Sequence, residues 1–437
     1  MKAMKYITLI IIAAITLKAA AQNPVVAPAQ KKPVMLTGGT IHIGNGTVIE
    51  NGIIAFSGGK ITFVGKASDS KLDNSAYEVI DVTGKQVYPG LILPNTVLGL
   101  VEIGGVSVTV DTREIGDLNP NVRALPAYNT DSHVIPVVRS NGVLLAQIVP
   151  QGSLLPGMSS VVQLDAWNWE DAAYRKDNGL VLGWPRKAGL GGRAGAYFAQ
   201  FATAAAAAYD KSVEQLDKIF TDAIAYSAVD KPAYVNLRLE AMRGLFDGSK
   251  TLFISSSESK GIIAAVSFAK KYGVKKMVLS GANEAAWAVK DFLKENHIPV
   301  ILASPLSLPA YEYSDVRLPY KLAALFTHEG ILVALSYSQQ AYPNLPFAAG
   351  TAAAYGLTKE EALMTVTLNT AKILGIDDIT GSLEAGKDAN IVVSSGDILD
   401  MKTNNIELAF ITGRNISLDN KFKQLNRRFQ AKYDNQK

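Results

Sequence analysis

The sequence predicts an α/β protein: a (β/α)8 TIM-like barrel with a small composite β-sandwich domain built from both chain ends. Three observations predict this fold class. Short apolar runs alternate with helical patterns in the middle of the chain, glycine-punctuated β-rich runs occupy both ends, and hydrophobic residues make up 48% of 437 residues. Apolar strands that alternate with helices are typical of parallel sheets with crossover helices. The apolar content excludes a disordered chain and supplies a large core.

The predicted organisation has five parts. The end domain rests on β-rich runs separated by the turn dipeptides Asn45-Gly46 and Gly58-Gly59, which supply the positive φ angles that hairpins need. Strand and turn patterns return near the other end, from Gly381 to Ile411. The boundaries that we predict are a signal peptide at 1–21, a flexible leader at 22–33, a composite β domain at 34–88 with 380–418, a barrel at 89–379 and a polar C-terminal tail at 419–437.

The middle of the chain contains three consecutive strand–helix units. A barrel of roughly 280 residues fits them better than an open sheet, although periodicity alone does not separate the two folds. The strands 251–254, 276–279 and 300–302 are each followed by an amphipathic pattern, at 260–272, 284–296 and 316–328 respectively. A further helix begins at Thr358, where Thr358-Lys359-Glu360-Glu361 forms a capping box. Active sites of such barrels lie at the carboxyl ends of the strands, which we call the mouth.

The first 21 residues have the layout of a secretory signal peptide. Lys2 and Lys5 precede an apolar run at 6–17, and Ala19-Ala20-Ala21 offers a cleavage site before Gln22. The apolar run is shorter than the roughly 20 residues that span a bilayer. We therefore predict a secreted protein, periplasmic or extracellular after cleavage near Ala21/Gln22, without a stable membrane anchor.

Charge and cysteine content exclude several classes of function. The chain has no Cys, which rules out disulfide scaffolds, Cys-ligated metal sites and thiol catalysis. Removing the lysine-bearing signal leaves 40 basic against 39 acidic residues. We predict no nucleic-acid partner, because there is no dense basic stripe apart from a short tail around Arg427 and Arg428, interpreted as a solvated end.

Several motifs in the same order resemble the amidohydrolase superfamily, especially its imidazolonepropionase-like and dihydroorotase-like branches. The resemblance runs from about residue 36 to about residue 415. It implies a hydrolase of non-peptide C–N bonds, such as cyclic amides, that uses Zn or another divalent metal in the barrel mouth. The motifs that carry it are Gly38-Gly39-Thr40-Ile41, Val79 to Lys85, Tyr88-Pro89-Gly90-Leu91-Ile92, Leu357 to Leu363, Thr367 to Lys372 and Gly381 to Val393.

The metal-ligand motifs of that family are missing. The resemblance implies Asp-x-His-x-His after Pro89-Gly90-Leu91-Ile92, but Asn95 and Val97 replace the two histidines. A ligand His implied near Ser255 or Ser256, and another near Ser280 or Gly281, are also absent. The implied Asp after the eighth strand falls within Ser336-Tyr337-Ser338. We therefore expect no metal cofactor.

Two functional hypotheses follow. The first is a catalytically degenerate member that binds a small molecule or a partner subunit, as a homo-oligomer or beside a metal-competent homologue. The second is an active hydrolase with a rebuilt metal or acid/base site at the mouth. The acid/base candidates are Glu258 and Glu284, which open helices after adjacent strands. The ligand-binding candidates are Asn95, Asp111, Glu114, Asp165, Ser255, Asn283 and Ser338.

Overall fold

The computed structural model describes residues 24–186, 199–309, 314–337 and 339–434. The predicted signal peptide at 1–21 and the candidate Ser338 lie outside the described residues. Within these ranges no helix has the length and apolarity that a membrane span requires.

The first sheet joins the two ends of the chain. Its strand order is β16-β15-β14-β5-β1-β2-β3, and β4 also pairs with β1. The ends meet where β14 runs antiparallel to β5, with Val392 opposite Tyr88. The composite domain of the predicted fold class is therefore confirmed. Its strands are β1 Val34–His42, β2 Val48–Ser57, β3 Lys60–Lys66, β4 Glu78–Asp81, β5 Gln86–Pro89, β14 Ile391–Ser394, β15 Ile406–Ile411 and β16 Arg414–Asn415.

The second sheet is a nearly closed barrel of eight strands in chain order. Between the last strand and the first, the segment around Thr365 completes the wall: Leu335 N–H donates to the Thr365 carbonyl at 3.0 Å, and Ile92 N–H donates to the Val366 carbonyl at 2.8 Å. The predicted barrel is thus confirmed. Its strands are β6 Leu91–Thr96, β7 Val143–Ile148, β8 Gly157–Gln163, β9 Ala173–Gly183, β10 Thr251–Ser255, β11 Met277–Ala282, β12 Val300–Leu302 and β13 Val333–Leu335.

One barrel strand runs against the others. β8 pairs antiparallel with both β7 and β9, whereas the remaining neighbours pair parallel. Only residues 149–156 connect β7 to β8. A parallel crossover needs a dozen or more residues, so this short connection returns the chain antiparallel.

The helices surround the barrel and one closes its floor. The capping box predicted at Thr358 is confirmed: the Thr358 side chain accepts from Glu361 N–H, and the Glu361 carboxylate accepts from Thr358 N–H at 2.8 Å. The described α-helices are α1 Ile135–Arg139, α2 Trp169–Ala172, α3 Ala199–Ser227, α4 Leu237–Asp247, α5 Ser259–Lys271, α6 Glu284–Trp287, α7 Lys290–Glu295, α8 Leu318–His328, α9 Leu345–Ala354, α10 Lys359–Met364, α11 Leu368–Leu374 and α12 Lys421–Asp434.

The barrel interior is packed with apolar side chains rather than open. Seven of the eight strands each contribute one buried residue to a single cluster, and α11 adds residues that plug it from the floor. This packing fixes which strand residues point inward at the level of the mouth. The strand residues of the cluster are Ile92, Leu145, Val161, Phe253, Val278, Ile301 and Ala334.

The predicted leader contacts the rest of the protein at several points. Gln30 Nε2 donates to the Phe56 carbonyl at 3.0 Å, and Gln30 Oε1 accepts from Gly59 N–H at 3.1 Å. Ala27 is buried, and its N–H donates to the Asp165 carboxylate at 3.0 Å. The Arg414 guanidinium donates to the Ala27 carbonyl at 3.1 Å. The boundaries of the five predicted parts, and the flexibility of the leader, stay predictions.

Candidate ligand site at the barrel mouth

Serine side chains line the mouth directly above the apolar interior. Ser255 on β10 pairs with Ser280 on β11, two residues beyond the interior pair Phe253 and Val278. Side chains two residues apart on a strand point to the same face. Ser255 and Ser280 therefore project into the barrel one layer above Phe253 and Val278. Ser336 occupies the equivalent place after β13, two residues beyond Ala334.

The hydroxyls of Ser280 and Ser336 differ in their hydrogen bonding. Ser336 Oγ donates to the Pro94 carbonyl at 2.7 Å, which ties the end of β13 to β6. Ser280 is 5% exposed, and its Oγ has no hydrogen-bond partner among the described residues. Buried hydroxyls without a partner are uncommon and unfavourable, so Ser280 Oγ is a group that a bound molecule would satisfy.

Asn95 stands at the first metal-ligand position that the family resemblance implies, and its backbone is not that of a regular strand. Asn95 has φ 52°, in the left-handed region, and the β6–β7 register shifts between Leu93 and Thr96. Asn95 N–H donates to Gln147 Oε1 at 3.1 Å, while Val97 N–H donates to Tyr342 Oη at 3.1 Å. Two residues at i and i+2 share a face only in extended backbone. Asn95 and Val97 therefore do not present a same-side pair.

A buried chain of polar side chains runs from Asn95 to the barrel floor. Gln147 Nε2 donates to Ser159 Oγ at 3.2 Å, and Ser159 Oγ donates to Asn178 Oδ1 at 2.9 Å. Asn178 Nδ2 donates to the Leu374 carbonyl of α11 at 3.3 Å. Gln147 and Ser159 are fully buried. The chain thus supports the bend at Asn95 from inside the barrel.

The two acid/base candidates stand at neighbouring helix starts. Glu258 precedes α5, and its side chain makes no capping hydrogen bond. Glu284 is the first residue of α6, and its carboxylate accepts from Ser314 Oγ. The helix starts touch, because Ser259 Oγ donates to the Ala285 carbonyl at 2.8 Å. Both carboxylates are half-buried on the mouth side of the strands.

Two polar candidates at the mouth have structural contacts. Asn283 caps α6, and its side-chain oxygen accepts from Ala285 N–H at 2.9 Å. Ser255 is exposed, and its carbonyl accepts from Trp184 N–H at 2.9 Å. The Asn283 oxygen is thus occupied by capping, whereas the Ser255 hydroxyl faces solvent at the mouth.

The remaining acidic candidates differ in burial. Asp111 and Glu114 are exposed on the long segment after β6. Asp165 follows the antiparallel β8, so it lies at the end of the barrel opposite the mouth. There Asp165 is 2% exposed and forms ion pairs with Arg139 and Arg414. The structure thus places Asp165 in a buried charge cluster away from the mouth, and its role in binding a ligand stays a prediction.

Sequence reasoning missed Gln147 and Tyr342, which hold the mouth backbone in place. Gln147 is a single polar residue inside the apolar strand Val143–Ile148, and a polar residue in a fully buried run is a signal that could have identified it. Tyr342 lies in a helical segment after β13, and its contact with Val97 is visible only in three dimensions.

The donor set at the mouth does not fit the divalent metal of the family. The described side chains at the ligand positions are an amide at Asn95, an alkyl group at Val97, and hydroxyls at Ser255, Ser280 and Ser336. Zinc prefers imidazole, thiolate and carboxylate ligands. Across the described ranges, no three His, Asp or Glu side chains are grouped so that they could hold a metal ion. We therefore derive no chemical step through a metal.

The comparisons with known proteins agree with this fold. Residues 323–429 match the model of the amidohydrolase family. Imidazolonepropionase from Flavobacterium psychrophilum is 28% identical over 166 residues, or 33% of this chain and 39% of that protein. Imidazolonepropionase from Bacillus cereus is 53% identical over 49 residues, or 11% of each chain. The matched regions therefore span well under half the length of these curated relatives.

A solved structure extends the likeness to most of the chain. The amidohydrolase from Thermotoga maritima superposes with a TM-score of 0.75 at 23% identity, covering 88% of this chain and 99% of that one. The family match over residues 323–429, the imidazolonepropionase relatives and this shared fold support membership of the amidohydrolase superfamily. A molinate hydrolase shares the fold at a TM-score of 0.54 and 16% identity, with 89% and 95% of the two chains covered. The protein therefore shares the barrel fold of these structures. The loss of the metal ligands that the resemblance implies stays a prediction.

Proposed function

We propose that this protein is an exported, catalytically degenerate amidohydrolase that binds a small, uncharged polar molecule at its barrel mouth. The observation that carries the proposal is Ser280, a buried hydroxyl without a partner among the described residues, in a layer where the family has metal ligands. The family resemblance suggests the chemical class: cyclic amides and related non-peptide C–N compounds, here bound rather than cleaved.

The charge of the mouth supports a neutral ligand. The inward groups on β10 and β11 are the hydroxyls of Ser255 and Ser280, and Asn95 stands at the end of β6. A hydroxyl can donate and accept, so it matches the N–H and C=O groups of an amide. Binding sites of this type combine an apolar lining with a few placed polar groups, and the interior below supplies the apolar lining.

Calorimetric titration with a panel of cyclic amides tests the proposal. We expect binding by the wild type and at least a tenfold loss of affinity for S280A, since removing one hydrogen bond to a buried group costs about 1–3 kcal/mol. The matched control is S257A, an exposed serine just beyond the neighbouring strand β10. Equal affinity in S280A and wild type, or hydrolysis of any panel member, contradicts the proposal.

A rebuilt acid/base hydrolase is the second candidate, favoured by the contact between the starts of α5 and α6. Two carboxylates at adjacent strand ends are the arrangement that general acid–base catalysis needs. If this candidate is correct, E258Q and E284Q each abolish hydrolysis of a panel substrate while leaving its binding intact. Wild-type hydrolysis in both variants removes it.

The proposal also covers the export of the protein and its oligomeric state. We propose that the segment 1–21 is cleaved and that the mature protein acts outside the cytoplasm, alone, as a homo-oligomer or beside a metal-competent homologue. N-terminal sequencing of the exported protein tests the first part, with Gln22 as the expected first residue. Light scattering of the protein alone and mixed with such a homologue tests the second.

A further inference from the structure

The C-terminal helix α12 (Lys421–Asp434) has no buried side chain along its whole length. Only its base is attached to the barrel. Asn420 is buried; its Nδ2 donates to Ser140 Oγ at 3.1 Å, and its Oδ1 accepts from Lys423 N–H at 2.9 Å. Asn420 therefore fixes the start of the helix, whereas the other described side chains of the helix are exposed apart from Leu425, which is half-buried.

One face of α12 is apolar and aromatic. Its members stand at i, i+3, i+7 and i+11, which places them within an arc of about 80° at 100° per residue. Three of them are more than half exposed: Phe422 at 62%, Phe429 at 55% and Tyr433 at 59%. A face of large exposed aromatic residues on a helix indicates an interaction surface. The four residues, which we call the aromatic face, are Phe422, Leu425, Phe429 and Tyr433.

Basic residues border the aromatic face on both sides. α12 has five basic residues and one acidic residue, a net charge of +4 that equals the formal net charge of the entire chain. Arg427 pairs with Asp419 at 2.8 Å, just before the helix. The positive excess of the protein is thus concentrated in one exposed helix. Its basic residues are Lys421, Lys423, Arg427, Arg428 and Lys432.

We propose that α12 is an interfacial helix that binds the protein to an anionic lipid bilayer. The occupant follows from charge complementarity: aromatic side chains enter the boundary between headgroups and acyl chains, while the flanking lysines and arginines contact anionic headgroups. At 14 residues, α12 lies along the surface and does not span it.

The attachment point of α12 orients the protein on the membrane. Ser140 directly follows α1 and precedes β7, so Asn420 anchors the helix at the barrel end opposite the mouth. A membrane bound through α12 leaves the serine-lined mouth accessible to solvent. Soluble ligands then reach the mouth without passing the lipid surface.

Vesicle sedimentation with the mature protein, which begins at Gln22, tests the proposal. The probes are vesicles of phosphatidylcholine alone and of an equimolar mixture of phosphatidylcholine and phosphatidylglycerol. We expect binding to the mixed vesicles that decreases as salt rises from about 0.05 to about 0.5 M, since salt screens the attraction. We expect at least a tenfold loss of affinity for F422S/F429S and for R428Q/K432Q.

Matched controls separate α12 from other apolar and basic surfaces. V108S/L308S removes two exposed apolar side chains elsewhere, and K31Q/K32Q removes two exposed lysines elsewhere. Both are expected to bind as the wild type does. All proteins begin at Gln22, so the apolar segment 1–21 contributes to none of the measurements.

Three results overturn the proposal. The first is equal binding of F422S/F429S and wild type to mixed vesicles, with R428Q/K432Q also unchanged. The second is no vesicle binding but a dimer in sedimentation velocity that F422S/F429S dissociates, which makes a second copy the occupant. The third is no vesicle binding but helix-dependent binding of an acidic protein. Circular dichroism and thermal melts establish that each variant is folded.

Discussion

His42 and Glu360 connect the end sheet to the barrel. His42, the last residue of β1, places Nδ1 2.6 Å from Glu360 Oε1 on α10, and its Nε2 lies 2.9 Å from Gln86 Oε1. The imidazole stacks on the Tyr88 ring, with centroids 4.4 Å apart and planes inclined by 14°. The pair borders a cavity of about 240 Å³ that Lys359 and Asp397 also line.

Protonation of His42 is predicted to stabilise the folded protein. Burial of the ring lowers its pKa, but hydrogen bonds to Glu360 and Gln86 and the negative charges of Glu360 and Asp397 outweigh burial, so the pKa is raised above 6.5. A pKa raised on folding gives stability that is fully present below the unfolded value near 6.5. That stability is lost as pH rises through the folded pKa. Lys359 faces the same cavity but pairs with Asp397 at 2.7 Å.

Thermal melts as a function of pH measure this effect. From pH 5.5 to pH 8.5, which brackets the unfolded pKa, the wild type is expected to lose more Tm than H42Q. The matched control is H133Q, because the His133 side chain is 58% exposed. H133Q should follow the wild-type profile. A wild-type profile that H42Q reproduces would show that the His42–Glu360 pair contributes nothing.

The buried charge cluster around Asp165 is predicted to stabilise the folded protein. Asp165 and Arg139 are 2% and 3% exposed, and Arg414 joins them with its Nη1 2.8 Å from Asp165 Oδ2. Removing one partner of a buried ion pair leaves an uncompensated charge. D165N is expected to lower the free energy of unfolding by about 3–5 kcal/mol. Urea denaturation measures the change.

The control for D165N is an exposed ion pair of similar length. Asp217 Oδ1 lies 2.7 Å from Lys271 Nζ, and both side chains are about half exposed. D217N should therefore change the urea midpoint far less than D165N, since solvent screens such pairs. Equal midpoints for D165N and D217N would mean that the Asp165 cluster is not essential to stability.

Gln147 is predicted to stabilise the bend at Asn95. Q147L removes the acceptor for Asn95 N–H and the donor to Ser159 Oγ, in a fully buried position. The expected loss is about 1–3 kcal/mol of unfolding free energy, because buried polar groups are left without partners. Q151L, at an exposed position after β7, is the control. Unchanged stability in Q147L contradicts the role of the polar chain.

The fold was predictable because its signals are local. Glycine turns, short apolar runs and the capping box at Thr358 identified both domains, and each is a property of neighbouring residues. The direction of β8 depends instead on partner strands and a short connection. For that reason the sequence placed Asp165 after a strand but could not say at which end of the barrel it lies.

For the candidate site, the sequence predicted which residue types occupy the mouth but not their geometry or contacts. The absence of histidines at Asn95 and Val97 is evident in the sequence, and so are the serines at the other ligand positions. The left-handed backbone of Asn95 and its contact with Gln147 are not, because they depend on β7. Similarly, Ser336 Oγ has a hydrogen-bond partner and Ser280 Oγ has none among the described residues, although both serines come directly after apolar strand residues.

Metal binding is predicted to stay absent even when the two family histidines are restored. In N95H/V97H, the first imidazole would be attached to a residue whose φ is 52°. The second would replace the Val97 side chain, which is 4% exposed in the core. The two rings would therefore not converge on one ion, and Ser255 and Ser280 would still supply only hydroxyls. Elemental analysis after zinc dialysis is expected to give substoichiometric zinc for the wild type and for N95H/V97H.

A superfamily member that retains His-x-His is the positive control for this measurement. Purification without a chelator or a histidine tag keeps the zinc content interpretable. About one equivalent or more in the wild type would mean that the chain holds metal with ligands other than those described, since zinc sites need three or four protein ligands. About one equivalent in N95H/V97H alone would mean that the backbone at Asn95 relaxes to the extended form. Either result would favour metal-assisted hydrolysis as the function of this barrel.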